Sequence, residues 1–278
     1  MRVVLCCLAK NEHLYINDFV KWYVDLGFDT IYIYDNDELD SKPIRECIDE
    51  NLMDHVVVKN IRGFRRDKLQ HDIYTGFYAK YGKQFDWCLF CDVDEFLFGV
   101  DNIKDFLNNP KFNNFNQIRV KWKLFGDDDL IERDMSIPVY EAITHEIKET
   151  LNRNLVDKGN LESQGKSFVR GNLPNIIIRS PHFASNGYRD NTLKSCLPSG
   201  RVCNSYVAIK EDYSHESVFL NHYMTKTLSE FVNQKMNRTD AVFVDLQIKL
   251  DYYWRVNKKT PQKLEWLKER GLLWVSRF

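Results

Sequence analysis

The sequence has 278 residues, 44% of them hydrophobic and 28% charged, with a formal net charge of -1. That balance excludes a disordered chain and any strong global attraction to nucleic acid, so no nucleic-acid partner is expected. The length fits one large α/β domain without demanding two, and partners must be recognised by local chemistry.

Arg2 to Ala9 reads as a continuous apolar strand. Ile16, Phe19, Val20, Tyr23 and Val24 then recur at helical spacing until Gly27 supplies a stop. Thr30 to Tyr34 is a second apolar strand, Ile44 to Leu52 a short helix opened by Pro43, and His55 to Val58 a third strand. Asp67 to Lys80 carries Leu69, Ile73 and Phe77 on one helical face, stops near Gly82, and leads into Trp87 to Cys91, a strand apolar on both faces. Strands buried on both sides need helices above and below them. The pattern therefore predicts a doubly wound, mostly parallel sheet with helices on both faces across roughly the first 125 residues.

Past Phe125 the pattern loosens into an acidic turn at Asp127, Asp128 and Asp129, a polar stretch from Thr144 to Ser167, and short strands such as Asn175 to Arg179. Helical signals return in the last third. Thr227 and Glu230 form a capping box, and Thr260-Pro261 opens a final helix that ends at Gly271.

The first apolar run is cut by Lys10, Asn11 and Glu12, well short of the roughly 18 to 20 apolar residues a spanning helix needs. Seven cysteines, an odd count in apolar contexts, fit reduced thiols inside a cell. Cys88 and Cys91 are spaced C-x-x-C, but they lie in a predicted strand with no second pair and read as buried thiols. A cytoplasmic protein is expected. Neither G-x-G-x-x-G nor G-x-x-x-x-G-K-[ST] occurs, which excludes dinucleotide and P-loop enzymes of those signatures.

In open parallel sheets ligands sit beyond the carboxyl ends of the strands, near the point where strand order reverses. The predicted strands end in Lys10, Asn11 and Glu12; in Asp35, Asn36 and Asp37; in Arg62, Arg65 and Arg66; and in Asp92, Asp94 and Glu95. Every end is polar. Asp92 and Asp94, two apart at a strand tip with Val93 turned to the core, can both face one hard cation that keeps positions open for phosphate oxygens. The bland alternative is an acidic turn capping the next element. Gln70 and His71 start the helix before this strand and can face the same side, and the three arginines read equally as phosphate binders or solvated charges.

Five segments in order carry a resemblance: Lys10-Asn11-Glu12, the helix end Trp22 to Gly27, Tyr34-Asp35-Asn36, Asp92-Val93-Asp94-Glu95-Phe96-Leu97, and Asn221-His222-Tyr223-Met224-Thr225-Lys226. Together the chain from Val3 to about Asp240 resembles the family 2-like and family 92-like glycosyltransferases. The resemblance implies a GT-A fold, a nucleotide-sugar donor such as a UDP-sugar, and Mn2+ or Mg2+ held at the Asp-x-Asp motif. By the same resemblance Asn11, Glu12, Asp35 and Asn36 lie near the base and ribose, Asp92 and Asp94 contact ribose and metal, His222 is a metal ligand, and Lys226 reaches the diphosphate. A catalytic domain over 1–240 follows, with a nucleotide-sugar half over 1–125, an acceptor half over 126–240, and a helical extension over 241–278.

Read from the residues, His222 is either a core hydrogen-bonder or a ligand placed beside Lys226 and a helix N-terminus. Lys166, Arg170 and His182 are candidates for the acceptor side, and Glu216 and Asp240, flanking His222, for the catalytic base, with Asp127 to Asp129 on the loop after the fifth strand as further carboxylates. The expected reaction is inverting transfer to a carbohydrate or lipid-linked glycan in surface polysaccharide or glycan synthesis. Two other classes stay open: a phosphatase or phosphotransferase using the Asp-x-Asp pair, and a non-catalytic carbohydrate-binding protein. The tail, with Leu264, Trp266, Leu267, Leu272, Leu273, Trp274, Val275 and Phe278 among Lys263, Lys268, Arg270 and Arg277, either lies on the inner membrane face or packs on the catalytic domain.

Overall fold

The computed structural model describes residues 1–147, 163–180, 182–187, 193–204, 209, 211–236 and 246–273. In chain order the elements are β1 Val3–Ala9, α1 Ile16–Asp25, β2 Thr30–Asp35, β3 Val56–Asn60, α2 Leu69–Tyr81, β4 Trp87–Phe90, β5 Glu95–Phe98, α3 Ile103–Leu107 and β6 Gln117–Phe125. There follow α4 Val139–Ala142, β7 Glu146–Ile147, β8 Gly165–Arg170, β9 Ile176–Ser180, β10 Phe183–Asn186, β11 Ser195–Cys196, β12 Val202–Cys203, β13 Phe219–His222, α5 Leu228–Phe231, α6 Leu246–Tyr253 and α7 Pro261–Glu269. The chain divides into two compact units, one of Met1–Lys123 with Gly159–His222, the other of Leu124–Lys158 with Tyr223–Phe278.

The first unit is mixed α/β, with a large central sheet flanked by helices and ordered β3-β2-β1-β4-β8-β6-β11-β12. Its contiguous block β3-β2-β1-β4 is parallel throughout. Strand order reverses at β1, because β2 pairs one edge of it and β4 the other. The expected parallel sheet is thus present, but it does not close within the first 125 residues. β8 inserts antiparallel between β4 and β6, a pairing no periodicity in the polar stretch signals.

Apolar burial explains the layering. Val4 and Cys6 face Tyr74, Phe77 and Tyr78 of α2 in one cluster, which also takes Val169. On the other face Phe28 stacks on Phe168, the neighbour of Val169, and packs edge-on against Tyr23 of α1. Ile16, Phe19, Val20 and Tyr23 are the buried stripe of α1, each contributing roughly 1.5–3 kcal/mol relative to exposure.

One predicted helix is not continuous. Ile44–Cys47 and Glu50–His55 are separate 3₁₀ turns, since Ile48 and Asp49 between them are extended. The Asn17 side chain accepts from the Asp49 N–H and donates to its carboxylate, offering that backbone a partner other than a helical carbonyl.

The second unit holds a cluster of Leu228, Phe231, Val232, Met236, Leu250, Tyr253, Trp254 and Leu267, against which Trp266, Leu272 and Leu273 pack. Leu267 of α7 is thus buried in this core and Lys263 is interior, whereas Leu264 is exposed. Trp274, Val275, Arg277 and Phe278 lie outside the described residues. Among those described, no helix is long and apolar enough to cross a membrane. Thr227 caps α5 in the expected box with Glu230, and Thr260 caps α7.

β13 returns to the sheet by pairing antiparallel with β5, Phe219 opposite Phe98 and His222 opposite Glu95. Gly99 makes that return possible: its φ is +82°, and a Cβ there would lie 2.0 Å from the Ser217 carbonyl oxygen. Gly99→Ala is expected to lower the unfolding free energy by about 2–4 kcal/mol through left-handed strain and overpacking, measured by urea denaturation. A change below about 0.5 kcal/mol would show that the β5–β13 junction tolerates a side chain.

Candidate functional site

The carboxyl ends of β1, β2 and β4 carry two groups of polar side chains, all within the first unit. The first lies where β1 and β2 end. Asn11, in the left-handed region at φ 58°, donates its backbone N–H to Asp37 Oδ1 at 2.5 Å. Asp37 Oδ2 is 3.2 Å from His13 Nε2, and Glu12 supplies the carbonyl that receives Tyr15 and Ile16 as α1 begins. Asp35 spends its oxygens on the N–H groups of Asp37 and Ile44, both at 3.2 Å. With its amide oriented to donate, Asn36 bonds the carbonyls of Phe64 and Ile61. These residues meet where the nucleotide was expected, and their shared work is to fix two loops. Burial is the main cause that raises the Asp37 carboxyl above the usual range.

The second group forms around the turn after β4. The Glu95 N–H bonds the Asp92 carbonyl at 3.1 Å, and the Asp92 N–H returns a bond to Glu95 Oε2 at 3.0 Å. Into this turn comes Lys166 of β8, wholly buried, with Nζ 2.7 Å from Asp92 Oδ2 and 3.4 Å from Glu95 Oε1. The register explains its place: Trp87 faces Arg170 and Leu89 faces Phe168, so each step toward Gly165 moves toward the end of β4. Arg170, four residues away along the strand, is on that account at the opposite end, over the Trp87 ring at 4.3 Å. Gln70 completes the shell by donating to Asp92 Oδ1 at 2.7 Å. One helical turn later the Tyr74 hydroxyl accepts from Leu8 N–H of β1 and donates to the Cys91 carbonyl, tying the two strands at their reversal.

Electrostatics follow from this packing. Burial pushes the Asp92 carboxyl up, but the Lys166 ammonium and its hydrogen bond more than reverse that and leave it below the usual range. Burial, reinforced by the charges of Asp92 and Asp94, lifts Glu95 well above its usual value against the pull of Lys166. Burial opposes the charge on Lys166, yet the two acids keep its pKa raised. The turn therefore pairs Lys166 with Asp92, while burial works against the charge on Glu95.

Asp94 points elsewhere. Its Oδ1 is 3.5 Å from His222 Nε2, and the imidazole packs on Trp122 with ring centroids 4.4 Å apart. His182 meets the same indole at 5.1 Å, and Lys166 Nζ stands 5.6 Å from it. Among the described residues the buried Trp122 Nε1 has no partner. Sequence periodicity gave no hint of Trp122 or Tyr74, which look like ordinary core aromatics. His182 Nδ1 is 3.0 Å from the Gly165 carbonyl and must carry its proton toward it. Burial, with Lys166 nearby, pulls the His182 pKa down to about 3.

The expected divalent cation can be tested against these donors. Asp92, expected as a ligand, has Oδ1 engaged by Gln70 and Oδ2 by Lys166. Among the described residues no group of three or more His, Cys, Asp or Glu side chains is gathered to hold a metal. Asp94 and His222 remain as a carboxylate–imidazole pair. They fit a cation that takes two protein ligands and completes its shell with phosphate oxygens and water.

The other expected residues are placed as follows. Glu216 precedes β13, at the end that begins opposite Phe98, whereas His222 ends that strand opposite Glu95. Both Glu216 oxygens are bound by Ser199, one by its N–H and one by its hydroxyl. It is not brought to the cluster. Lys226 is buried in the second unit at φ 55°. Asp240 lies outside the described residues. Arg65 pairs with Glu38, Arg66 and His71 with Asp72, and Arg62 with the Ser41 carbonyl.

Two outcomes test this electrostatic account. Lys166→Met is expected to cost about 3 kcal/mol, the low end for breaking a buried pair because Asp92 keeps 34% of its side-chain surface in water. Equilibrium unfolding at neutral pH reads it, and an unchanged midpoint removes the ion pair from the stability of the site. For His182 the folded pKa lies below the unfolded one of about 6.5, so its contribution is present above that pH and lost as pH falls toward about 3. In that window wild-type stability gains a slope of up to about 1.4 kcal/mol per pH unit that His182→Gln lacks; parallel curves for the two proteins would refute a neutral, half-buried His182. No family model matches this chain, and no curated protein matches it.

Proposed function

We propose that this chain is a metal-dependent glycosyltransferase of the GT-A type, moving a sugar from a nucleotide-diphosphate donor, such as a UDP-sugar, to a carbohydrate or lipid-linked glycan. The observation that carries the reading is the approach of Asp94 and His222, from the two halves of the chain, at the carboxyl edge where strand order reverses. A crevice at that edge is where open α/β sheets bind ligands. The resemblance in five ordered segments adds the reaction class.

Asp94 and His222 would hold Mn2+ or Mg2+, which when bound offsets the charge that builds on a leaving diphosphate. The chain's own residues do the rest. Lys166 and Gln70 hold the Asp92 carboxylate in one orientation, ionised and partly open to solvent, as an acceptor for a sugar or ribose hydroxyl. Trp122 and the neutral His182 wall the site beside Asp94 and limit water. In the inverting displacement an acceptor hydroxyl oxygen bonds to the anomeric carbon, the bond from that carbon to the diphosphate breaks, and the hydroxyl proton passes to a carboxylate base. A cytoplasmic location and a role in surface polysaccharide or glycan synthesis accompany this reading.

The test is a screen of nucleotide sugars against the full chain with manganese, read first as thermal stabilisation and then as turnover. One nucleotide sugar is expected to raise Tm only when manganese is present. Asp94→Asn is expected to lose that shift and about 10²–10³-fold in kcat while keeping the wild-type circular dichroism spectrum. Full turnover in Asp94→Asn would sink the proposal, and sugar binding without transfer or hydrolysis would favour a carbohydrate-binding protein.

A further inference from the structure

The His222 imidazole stands at the last position of β13, and the strand backbone does not decide which way its nitrogens face. The second side-chain torsion of a histidine is broad and nearly two-fold, so the groups packed on the ring select its orientation. Asp94 Oδ1, 3.5 Å from Nε2, is too distant for an ordinary hydrogen bond to fix the ring. The indole of Trp122 lies directly against it, with ring centroids 4.4 Å apart and the planes tilted by 51°.

The indole is itself held from the β8 side. The Trp122 backbone N–H donates to the Gln164 carbonyl at 2.9 Å, and Val120, two residues earlier, is opposite Lys166 in the β6–β8 register. Trp122 and Lys166 therefore project from one face of the sheet, and Lys166 Nζ stands 5.6 Å from the ring. His182 meets the indole edge-on at 5.1 Å, with its own Nδ1 tied to the Gly165 carbonyl at 3.0 Å. A packed series thus runs from the β8 backbone through His182 and Trp122 to His222 and Asp94, all within the first unit. With 7% of its surface exposed, the indole offers little face on which a sugar could stack, so its contact with the imidazole is the one that bears on the site.

We propose that Trp122 is a positioning residue, whose ring face turns the His222 imidazole so that Nε2 and the Asp94 carboxylate converge on one divalent cation. The inference rests on the reading of Asp94 and His222 as the metal pair. Groups that orient a ligand from behind contribute about 10–100-fold to metal affinity. A flat ring is the property that matters here. Phenylalanine is therefore expected to serve in place of the indole, and an aliphatic chain is not.

Titration of Mn2+ into the full chain, with the free ion followed by its electron paramagnetic resonance signal, tests the role. Wild type is expected to bind the ion and Asp94→Asn to lose it. Trp122→Leu is expected to bind about tenfold more weakly with an unchanged circular dichroism spectrum, whereas Trp122→Phe stays within about twofold of wild type. Should Trp122→Leu fail to fold, Trp122→Met, flexible and without a ring, takes its place. Bound Mn2+ is paramagnetic and is expected to quench part of the tryptophan emission of wild type, a part missing from Trp122→Phe although that variant still binds the ion. No binding by wild type, or equally tight binding by Asp94→Asn, removes the metal reading and this inference with it. Binding that is lost in Asp94→Asn yet undiminished in the ring-less variant, binding as weak in Trp122→Phe as in that variant, or quenching that survives in Trp122→Phe would overturn the role of Trp122 alone.

Discussion

The first unit is organised around one buried cation. Lys166 enters the sheet between β4 and β6 with no exposed surface, and only the acids of the turn beyond β4 make its charge tolerable there. Desolvating an ammonium and a carboxylate costs several kcal/mol per ion, so the pair is weak evidence for stability and stronger evidence that geometry at this turn matters. Its consequence is a division of labour among three neighbouring acids. Asp92 is pinned by Lys166 and Gln70, Glu95 is wholly buried with its pKa raised, and Asp94 meets His222.

Strand direction decides which residues join them. The parallel block sends the ends of β1, β2 and β4 to one edge, and Tyr74 links β1 and β4 there through its hydroxyl. β8 runs against β4 and reaches that edge with its amino end, whereas β13 runs against β5, which leaves that edge, and so reaches it with its carboxyl end. Lys166 is near the start of β8 and His222 at the end of β13, and both arrive; Arg170 and Glu216, close to them in sequence, are carried to the far edge.

This explains what could be read in advance. α1, β1, β2 and β4 were legible because Ile16, Phe19, Val20 and Tyr23 show a helical stripe and the strands are apolar throughout. Gln70, Asp92, Asp94 and His222 were legible because polar residues at strand ends and helix starts stand out against such runs. β8 was hidden by its own chemistry: Gly165-Lys166-Ser167 is polar in sequence and buried in the sheet. Trp122 was hidden for the opposite reason, as a buried aromatic whose significance lies in the two imidazoles beside it and an N–H without a partner among the described residues. The partition between Asp92 and Asp94 was out of reach for want of Lys166. An Asp-x-Asp pattern fixes the spacing of two carboxylates but not which of them a distant cation has already claimed.

The second unit repeats that device independently. Lys263 of α7 is also without exposed surface and bridges Asp127 at 2.7 Å and Asp129 at 3.2 Å, in an acidic turn that likewise follows a strand. In both turns a buried lysine from a remote segment pairs with two carboxylates, Lys166 with Asp92 and Glu95 and Lys263 with Asp127 and Asp129. The third acids differ by company: Asp94 lies 3.5 Å from the His222 imidazole, whereas Asp128 meets the ring of His145 at 2.9 Å. Acidic clusters of similar sequence thus acquire different partners from the side chains that the fold, rather than the local sequence, sets beside them.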